Sequence, residues 1–431
     1  MTVMSLGSFP QFRKVMRKEK LPEERNGCMK KIAVLGYGVV GSGTVEVFYK
    51  NKEAIEKKVG EELDIKYILE VRDCPDERYR DKFTKNFDDI LNDPEVTVVA
   101  EVIGGIKYSY GYVRSALEAG KSVVTSNKEL VASKGAELLK IAKEHNVNFF
   151  FEASVGGGIP IIRPLNQCLS ANEIDEIAGI LNGTTNFILT KMIKEGMGFD
   201  EALRIAQELG YAERDPSADV EGHDTCRKIC ILASLAFGRH VYPDNIHTEG
   251  ITKITLEDVR YCESMNSVIK LIGFASKRGG DVAVMTCPAV INEESQLSGV
   301  NDVFNAILVR GDAVGDVVFY GKGAGKLPTA SAVVSDIIVA AKSHGTSRSM
   351  SWEDSAQDFV IPYKKLDNKF YIRAKADRKT VEGIFGEVRF LSRDGAPDDE
   401  CAFVTPVINE AELESKCSSL NVLGSIRVLD Y

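Results

Sequence analysis

No run of apolar residues in the sequence approaches the ~20 that a membrane-spanning helix needs. Residues 1–28 carry basic side chains but no apolar core of the kind that a signal peptide has, which predicts a cytoplasmic protein. The sequence also has no excess of basic residues: it contains 54 Lys and Arg but 63 Asp and Glu, which gives a formal net charge of -9. This balance argues against general binding to nucleic acid or to an anionic membrane.

Patterns of metal-binding or nucleophilic side chains are also missing. The nine cysteines include no Cys-x-x-Cys pair, and the five histidines form no Ser/His or metal constellation. Cys226 and Cys230 lie one turn apart on a predicted helix, which could suggest half of a metal site, but we interpret them as core thiols. An odd number of scattered cysteines is typical of a chain that keeps them reduced.

A glycine-rich turn follows the first predicted strand, residues 32–35. It comprises Gly36, Tyr37, Gly38, Val39, Val40 and Gly41 and precedes a helical stretch. In that position the glycines permit a tight turn, close approach of a pyrophosphate and close helix–strand packing, so the pattern predicts dinucleotide binding.

The second predicted strand, residues 65–71, runs into Arg72 and Asp73. An arginine there favours the 2′-phosphate of NADP, whereas the neighbouring acid leaves NAD open.

The order of predicted elements divides the chain into an α/β domain and two further units. Short apolar strands without alternation, separated by amphipathic helices, predict a parallel sheet covered on both faces, that is, a Rossmann domain. The mixture of elements that follows predicts an α+β catalytic and dimerisation domain, in which residues 256–277 are predicted as one long helix. The C-terminal part has the βαββαβ order of a ferredoxin-like module. The predicted segments are a disordered or mis-assigned extension (1–28), the Rossmann domain (29–157, with 321–345 returning to it), the second domain (158–320), a linker (346–361) and the C-terminal module (362–431).

The most informative segment is residues 213–228, ERDPSADVEGHDTCRK, because it concentrates acids and a lysine within two short turns. A dehydrogenase must hold a polar substrate and move a proton while its cofactor takes the hydride, and this segment has groups for both tasks. Spacing alone would favour a simple (i, i+4) helix salt bridge between Asp224 and Lys228. The surrounding Asp-Pro-Ser-x-Asp-Val-Glu-Gly motif resembles a known active-site signature, and this resemblance implies a catalytic role instead.

Six segments, in the same order along the chain, resemble homoserine dehydrogenase. They are the acidic segment and residues 99–105 (VAEVIGG), 119–128 (AGKSVVTSNK), 152–162 (EASVGGGIPII), 181–189 (LNGTTNFIL) and 320–329 (YGKGAGKLPT). The resemblance implies reversible oxidation of L-homoserine to L-aspartate 4-semialdehyde with a nicotinamide cofactor, in threonine and methionine biosynthesis. Because no kinase-like region precedes residue 29, we expect a monofunctional enzyme.

The resemblance also implies roles for individual residues. Lys228 would exchange a proton with the substrate oxygen, and Glu213 and Asp224 would bind homoserine. Lys128 would be a second cation that contacts cofactor and substrate and lowers the pKa of Lys228. The implied cofactor contacts are Gly36, Tyr37, Gly38, Val39, Val40, Gly41, Arg72, Ile103, Gly104, Lys128, Gly210 and Gly325. The residues that match the family's monovalent-cation site, thought to hold sodium (Na+), are Glu152, Val155, Gly157 and Ile159, with a plain glycine turn as the alternative.

The C-terminal module resembles an ACT domain, an amino-acid-sensing module. Its first turn, residues 377–380 (DRKT), lacks the proline and glycine of the usual effector site. The module is therefore either a threonine sensor or a module for dimerisation or packing, and the resemblance implies a homodimer or homotetramer. Two other functions stay open: a dehydrogenase of another amino acid, and a catalytically silent sensor that binds nucleotide. The joint presence of Lys128, Glu213, Asp224 and Lys228 argues against the sensor.

Overall fold

The computed structural model describes residues 30–346, 350–355 and 359–430. The predicted extension, residues 1–28, lies outside the described residues, as do parts of the predicted linker. No helix in these three ranges is long and apolar enough to cross a membrane.

The first unit is a parallel sheet between layers of helices. Its elements are β1 (Lys30–Leu35), α1 (Val39–Lys50), α2 (Lys52–Val59), β2 (Leu63–Leu69), β3 (Phe83–Thr84), α3 (Asp88–Leu91), β4 (Val96–Glu101), α4 (Ser109–Glu118), β5 (Ser122–Thr125), α5 (Lys128–Glu144) and β6 (Phe149–Phe150). The strands are all parallel, in the order β3-β2-β1-β4-β5-β6. The last four residues of β1 are fully buried, which explains why the strand sequence shows no alternation. The predicted Rossmann-like fold is confirmed.

The second unit is built on a mixed sheet. Its elements are β7 (Ile174–Ile180), α6 (Gly183–Glu195), α7 (Phe199–Glu208), α8 (Ser217–Val220), α9 (His223–Phe237), β8 (His247–Thr248), α10 (Leu256–Glu263), β9 (Ser267–Arg278), β10 (Asp281–Asn292), β11 (Phe304–Gly311) and β12 (Gly315–Lys322). β9 and β10 form a long antiparallel hairpin, and β7 pairs with β9 and β11. Because α9 packs against β9 and β10, this hairpin supports the acidic segment at the start of α9.

After β12 the chain returns to the first unit as α11 (Lys326–Lys342). α11 packs against α1, and the Nζ atom of Lys326 lies 2.7 Å from Oε2 of Glu46. Gly325, which precedes α11, is thereby placed beside the helix that the glycine-rich turn starts.

The single helix predicted for residues 256–277 is wrong. The helix ends at Glu263, Asn266 has a left-handed backbone (φ 54°), and β9 begins at Ser267. β9 is hydrogen-bonded on both edges and buried on both faces, so its apolar residues show no strand alternation. A continuous apolar stretch of this length cannot be assigned to helix or strand by periodicity, and strand pairing with distant segments decides it.

The C-terminal module extends the sheet of the second unit. Its elements are β13 (Asp367–Lys375), α12 (Arg378–Phe385), β14 (Arg389–Leu391), β15 (Glu400–Val404), β16 (Ile408–Asn409), α13 (Glu410–Cys417) and β17 (Asn421–Val428). The four main strands are antiparallel in the order β17-β13-β15-β14, the arrangement expected for a ferredoxin-like βαββαβ unit. β17 also pairs in parallel with β10, with Val428 opposite Val290, so the second unit and the module share one 11-stranded sheet.

One buried lysine in this sheet has no carboxylate among its hydrogen-bond partners in the part of the chain that the structure describes. The Nζ atom of Lys270, on β9, donates to the main-chain oxygen of Val300 at 2.5 Å and to Oδ1 of Asn186 at 3.2 Å. Burial lowers the pKa of Lys270 to about 8.

We expect Lys270 to make the protein more stable as pH rises from about 8 to about 10.5. In that window the unfolded chain keeps the proton that the folded chain has released, and the free energy of unfolding increases wherever the unfolded state binds more protons. The increase due to Lys270 is about 3 kcal/mol across the window. Urea titrations of the wild type and of Lys270→Met at both ends of the window test this, because the variant lacks this part of the increase. Equal pH dependence in the two proteins would contradict it.

Candidate active site

A single carboxylate lies between two lysines from different units of the fold. Asp224 is in the first turn of α9, and its Oδ1 atom lies 2.5 Å from Nζ of Lys128, the first residue of α5. Its Oδ2 atom lies 2.7 Å from Nζ of Lys228, one turn further along α9. Lys228 also donates to the main-chain oxygen of Leu181, at 2.7 Å. The structure therefore brings together three of the predicted site residues at the junction of the first and second units.

Asn182, at the turn between β7 and α6, holds the acidic segment in place. Its Oδ1 atom accepts a hydrogen bond from the main-chain N–H of Thr185 and so caps α6. Its Nδ2 atom donates to Oδ2 of Asp224 at 2.8 Å and to Oδ1 of Asp219 at 2.7 Å. The sequence prediction gave Asn182 no role, although it lies in the matched LNGTTNFIL segment, where an asparagine at a strand-to-helix turn could have indicated one.

The two lysines have opposite pKa shifts. Burial lowers the pKa of Lys228, against the opposing effect of Asp224. The charge of Asp224 raises the pKa of Lys128. Burial disfavours ionisation of Asp224, but Lys228 and Lys128 together hold the pKa of Asp224 below its ordinary value. Lys128 is thus a fixed cation, whereas the neutral form of Lys228 is favoured relative to an ordinary lysine.

The glycine-rich turn links β1 to α1 and leaves room at the helix N-terminus. A Cβ atom added to Gly38, the N-cap of α1, would meet no atom within 4 Å, so the backbone there is open to a ligand. A Cβ atom added to Gly41 would lie 2.0 Å from the main-chain oxygen of Gly36, so the close packing of α1 on the turn requires glycine. This arrangement fits a pyrophosphate at the N-terminus of α1.

The end of β2 differs from the sequence prediction. The strand ends at Leu69, two residues earlier than predicted, so the residue that follows it is Glu70. The Glu70 carboxylate accepts a hydrogen bond from the main-chain N–H of Tyr37 at 3.0 Å and lies 2.8 Å from Nη2 of Arg72. The hydrogen bond with the Arg72 guanidinium lowers the pKa of Glu70 to about 2. Glu70 was missed because the strand was predicted to continue past it.

A buried glutamate connects the end of β4 to the start of α5. One oxygen of Glu101 accepts the main-chain N–H groups of residues 103–104, and the other accepts the hydroxyl of Thr125 at 2.6 Å. Asn127 caps α5 and donates to the main-chain oxygen of Gly105 at 2.6 Å. The turn after β4 and Lys128 are therefore held together at the carboxyl edge of the parallel sheet, where dinucleotides bind in this class of fold.

Two family models match the chain. The homoserine dehydrogenase NAD-binding domain matches residues 36–152, and the homoserine dehydrogenase model matches residues 160–338. The homoserine dehydrogenase of Bacillus subtilis (strain 168) is 44% identical over 316 residues, which are 72% of this chain and 73% of that protein. The chain belongs to the homoserine dehydrogenase family.

Solved structures of homoserine dehydrogenases are similar to this chain. The enzyme from Thiobacillus denitrificans has a TM-score of 0.84 at 34% identity and covers 93% of this chain and 98% of its own. A hyperthermophilic archaeal homoserine dehydrogenase in complex with NADPH has a TM-score of 0.61 at 28% identity and covers 72% of this chain and 97% of its own. This chain therefore has the activity of the homoserine dehydrogenase family, and the hypothesis of a silent sensor is not favoured.

Not every residue that the resemblance to homoserine dehydrogenases singled out reaches the Asp224 site. The side chain of Glu213 is exposed, and in the described residues it shows no contact with Lys128, Asp224 or Lys228. Its main-chain oxygen accepts a hydrogen bond from Nε2 of Gln207 at 3.0 Å. Gly210 has a left-handed backbone (φ 74°) in the turn after α7.

The residues that match the cation site of homoserine dehydrogenases fit a cation only in part. The carboxylate of Glu152 already accepts four hydrogen bonds, from the main-chain N–H groups of residues 161–163 and from Nε of Arg163. No hydrogen bond among the described residues ends on the main-chain oxygens of Val155, Gly157 or Ile159, although all three residues are buried. The carbonyl groups fit a hard cation, whereas the predicted carboxylate ligand is engaged elsewhere.

Proposed function

We propose that Lys228 is the acid–base group in the oxidation of L-homoserine to L-aspartate 4-semialdehyde. The observation that carries the proposal is the position of the Asp224 carboxylate between Lys228 and Lys128, whose pKa values shift in opposite directions. A lysine acts as a base only in its neutral form, and burial favours that form at Lys228. Lys128 keeps its proton and supplies a positive charge between cofactor and substrate.

The proposed step moves a hydride and a proton to different places. In the oxidation, the C–H bond at the hydroxyl-bearing carbon of homoserine breaks and the hydride goes to the nicotinamide ring of the bound cofactor. The hydroxyl proton goes to the amine of Lys228, and the resulting ammonium is stabilised by Asp224 and the main-chain oxygen of Leu181. In the reverse direction this ammonium returns the proton to the aldehyde oxygen.

We assign substrate binding to Asp224 and Glu213. Asp224 lies inside the site at the N-terminus of α9, and Glu213 opens the same acidic segment on the exposed side. Two carboxylates suit the ammonium group of homoserine, since charge-assisted hydrogen bonds are the stronger kind.

Homoserine oxidation followed by the absorbance of the reduced nicotinamide, with NAD and NADP in parallel, tests the proposed function. We expect turnover with at least one cofactor, and adding threonine to each assay shows whether the C-terminal module senses that amino acid. Tight cofactor binding without turnover would overturn the proposal and favour the sensor.

We propose NADP as the preferred cofactor. The supporting observation is the guanidinium of Arg72, three residues after the end of β2, with its side chain 58% exposed and only Nη2 engaged, by the Glu70 carboxylate and the main-chain oxygen of Tyr37. Glu70 follows β2 directly, where an acid would bind a ribose 2′-hydroxyl, but its carboxylate already accepts hydrogen bonds from Arg72 and from the main-chain N–H groups of Tyr37 and residues 71–72. The remaining N–H groups can meet a 2′-phosphate, which an arginine at this position accommodates. The NADPH in the structure of the archaeal homoserine dehydrogenase supports the same choice.

Replacing Arg72 with alanine is expected to raise KM for NADP by about tenfold, a loss of roughly 1.4 kcal/mol of binding, and to leave KM for NAD nearly unchanged. Initial rates with both cofactors at saturating homoserine measure the effect. The control is Arg78→Ala, because Arg78 is another exposed arginine between β2 and β3 and is paired with Asp76. A larger NADP-specific loss in the Arg78 variant would transfer the role to Arg78.

We propose that a monovalent cation, Na+, is held by the carbonyl groups of Val155, Gly157 and Ile159, with Glu152 as a structural hydrogen-bond acceptor.

The domain division given by the sequence, the cytoplasmic location and the homodimer or homotetramer stay predictions. The ACT-like role of the module is also a prediction, and its first turn is closed by a hydrogen bond from the main-chain N–H of Thr380 to Oδ1 of Asp377.

A further inference from the structure

Two short stretches of chain meet on the same edge of β10. β8, from the second unit, pairs with β10 where His247 lies opposite Met285. β17, from the C-terminal module, pairs with β10 where Arg427 lies opposite Ala289. The end of the module's last strand is thereby placed next to β8 and the residues that follow it.

Arg427 joins the module to β8 through a buried ionic cluster. Its Nε atom lies 2.5 Å from Oε1 of Glu410, in the module, and its Nη1 atom lies 2.7 Å from Oε2 of Glu249, which follows β8. Its Nη2 atom lies 3.1 Å from Nε2 of His247, whose ring stacks on Tyr363 with centroids 4.0 Å apart. Arg427 is only 6% exposed, so losing it would leave Glu410 without its buried cation.

The residues after β8 pack directly on residues 220–222, which link α8 to α9. A Cβ atom added to Gly250 would lie 2.0 Å from the main-chain oxygen of Val220, so the two backbones touch and only glycine fits. The main-chain N–H of Ile251 donates to the same oxygen at 2.8 Å. A Cβ atom added to Gly222, the N-cap of α9, would lie 3.1 Å from the main-chain oxygen of Glu249.

Residues 220–222 lead directly into the first turn of α9, which carries the Asp224 carboxylate. Asp219 lies just before the contact and Asp224 just after it, and Nδ2 of Asn182 donates to both. A displacement of residues 220–222 would therefore move Asp224 relative to Lys228 and Lys128. Misplacements of about 1 Å in a catalytic group can cost on the order of a hundredfold in rate.

We infer that Arg427 is a positioning residue for the active site. It holds Glu249, and residues 249–251 contact residues 220–222, which lead into the first turn of α9 where Asp224 lies, so the C-terminal module supports the homoserine side of the site. The inference rests on the proposed function, because it uses the roles assigned to Asp224 and Lys228. A ligand of the module would accordingly act on homoserine turnover rather than on cofactor binding.

Steady-state kinetics of the full-length variant Arg427→Met test the inference. We expect kcat/KM for homoserine to fall about tenfold or more, while the Kd of the cofactor, measured by fluorescence titration, changes less than about twofold. The pH profile of kcat/KM should shift as well, since the pKa of Lys228 depends on its distance to Asp224. Arg427→Lys keeps the charge beside Glu249 and Glu410 and should restore part of the activity.

The matched control is Arg373→Met. Arg373 is also 6% exposed and also joins the module to the second unit, but its partners are Asp258, Glu400 and Thr255 rather than residues 247–251. We expect this variant to lose stability while its kcat/KM for homoserine stays within about threefold of the wild type. Equal losses of kcat/KM in both variants would overturn the inference, because they would reflect general loosening of the module.

A second variant covers the case in which Arg427→Met does not fold. Glu249→Gln removes only the charge between the module and the loop and leaves Glu410 paired with Arg427. We expect a smaller fall in kcat/KM for homoserine, about threefold, with the same shift of the pH profile. An unchanged profile in this variant would overturn the inference. Failure of the proposed function is distinguishable from failure of this inference, because a variant without the Lys228 amine would then keep its turnover.

Discussion

Replacing Lys228 with methionine is expected to lower kcat for homoserine oxidation by a factor on the order of 10³, the usual contribution of a positioned acid–base group. Methionine fills most of the lysine volume but cannot accept the hydroxyl proton. The amine it removes donates to Asp224 and to the main-chain oxygen of Leu181, both at 2.7 Å. Stopped-flow or steady-state absorbance of the reduced nicotinamide measures the loss, and the Kd of the cofactor should be retained.

Lys270→Met is the control for that experiment. Lys270 is a second buried lysine of the same unit, but its amine donates to Asn186 and Val300 and is not placed in the catalytic machinery. The same chemical change there should leave kcat within a few-fold of the wild type. If the two variants lost activity equally, the effect would be due to the missing buried cation rather than to a missing proton carrier.

Replacing Asp224 with asparagine is expected to have the second largest effect. The change keeps the shape of the side chain but leaves Lys228 and Lys128 without their shared carboxylate. Breaking a buried ion pair in this way costs about 3 kcal/mol of stability, and we expect kcat/KM for homoserine to fall by about two orders of magnitude. Urea unfolding and steady-state kinetics measure the two effects separately.

The sign of the accompanying pH change follows from the charges. Asp224 raises the pKa of Lys228 against the lowering effect of burial, so its neutralisation lowers that pKa further. In the proposed step the base is neutral Lys228, hence the rising limb of the pH–rate profile should move to lower pH in Asp224→Asn. Asp219→Asn is the matched control, because Asp219 shares the amide of Asn182 but makes no ion pair with either lysine among the described residues. Its charge raises the pKa of Lys228 less than the charge of Asp224 does, so we expect a smaller shift in the same direction. A shift to higher pH in Asp224→Asn would contradict the assignment of Lys228 as the base.

The predictions from sequence were most accurate where interactions between residues close in sequence determine the structure. The position of the glycine-rich turn between β1 and α1 was predicted correctly because its glycines are required by neighbours close in sequence. At Gly41, for example, a Cβ atom would collide with the main-chain oxygen of Gly36. Asp224 and Lys228 were predicted as neighbours because a helix brings residues four apart onto one face. Their spacing did not say that Lys128 would share the same carboxylate, since that contact joins two units of the fold.

The predictions failed where pairing partners distant in sequence decide the structure. Residues 267–278 form β9 rather than the end of a helix because β7 and β10 supply hydrogen bonds on both edges. Glu70 was missed because a strand boundary shifted by two residues changes which side chain meets the glycine-rich turn. The role of Glu152 as a cation ligand stays a prediction; its carboxylate accepts four hydrogen bonds from donors that the fold brings to it, which the sequence did not indicate.

The sequence by itself determined the parallel sheet with its dinucleotide turn, the family and its reaction, because these depend on short motifs and on local steric and periodic rules. Only the tertiary structure showed that Lys128 and Lys228 share the Asp224 carboxylate and that their pKa values shift in opposite directions, because a pKa depends on the solvent and charges around a group. It also decided that the C-terminal module continues the catalytic sheet through β10 and β17. No local pattern could show that, since edge-to-edge strand pairing is a property of the assembled sheet rather than of either strand.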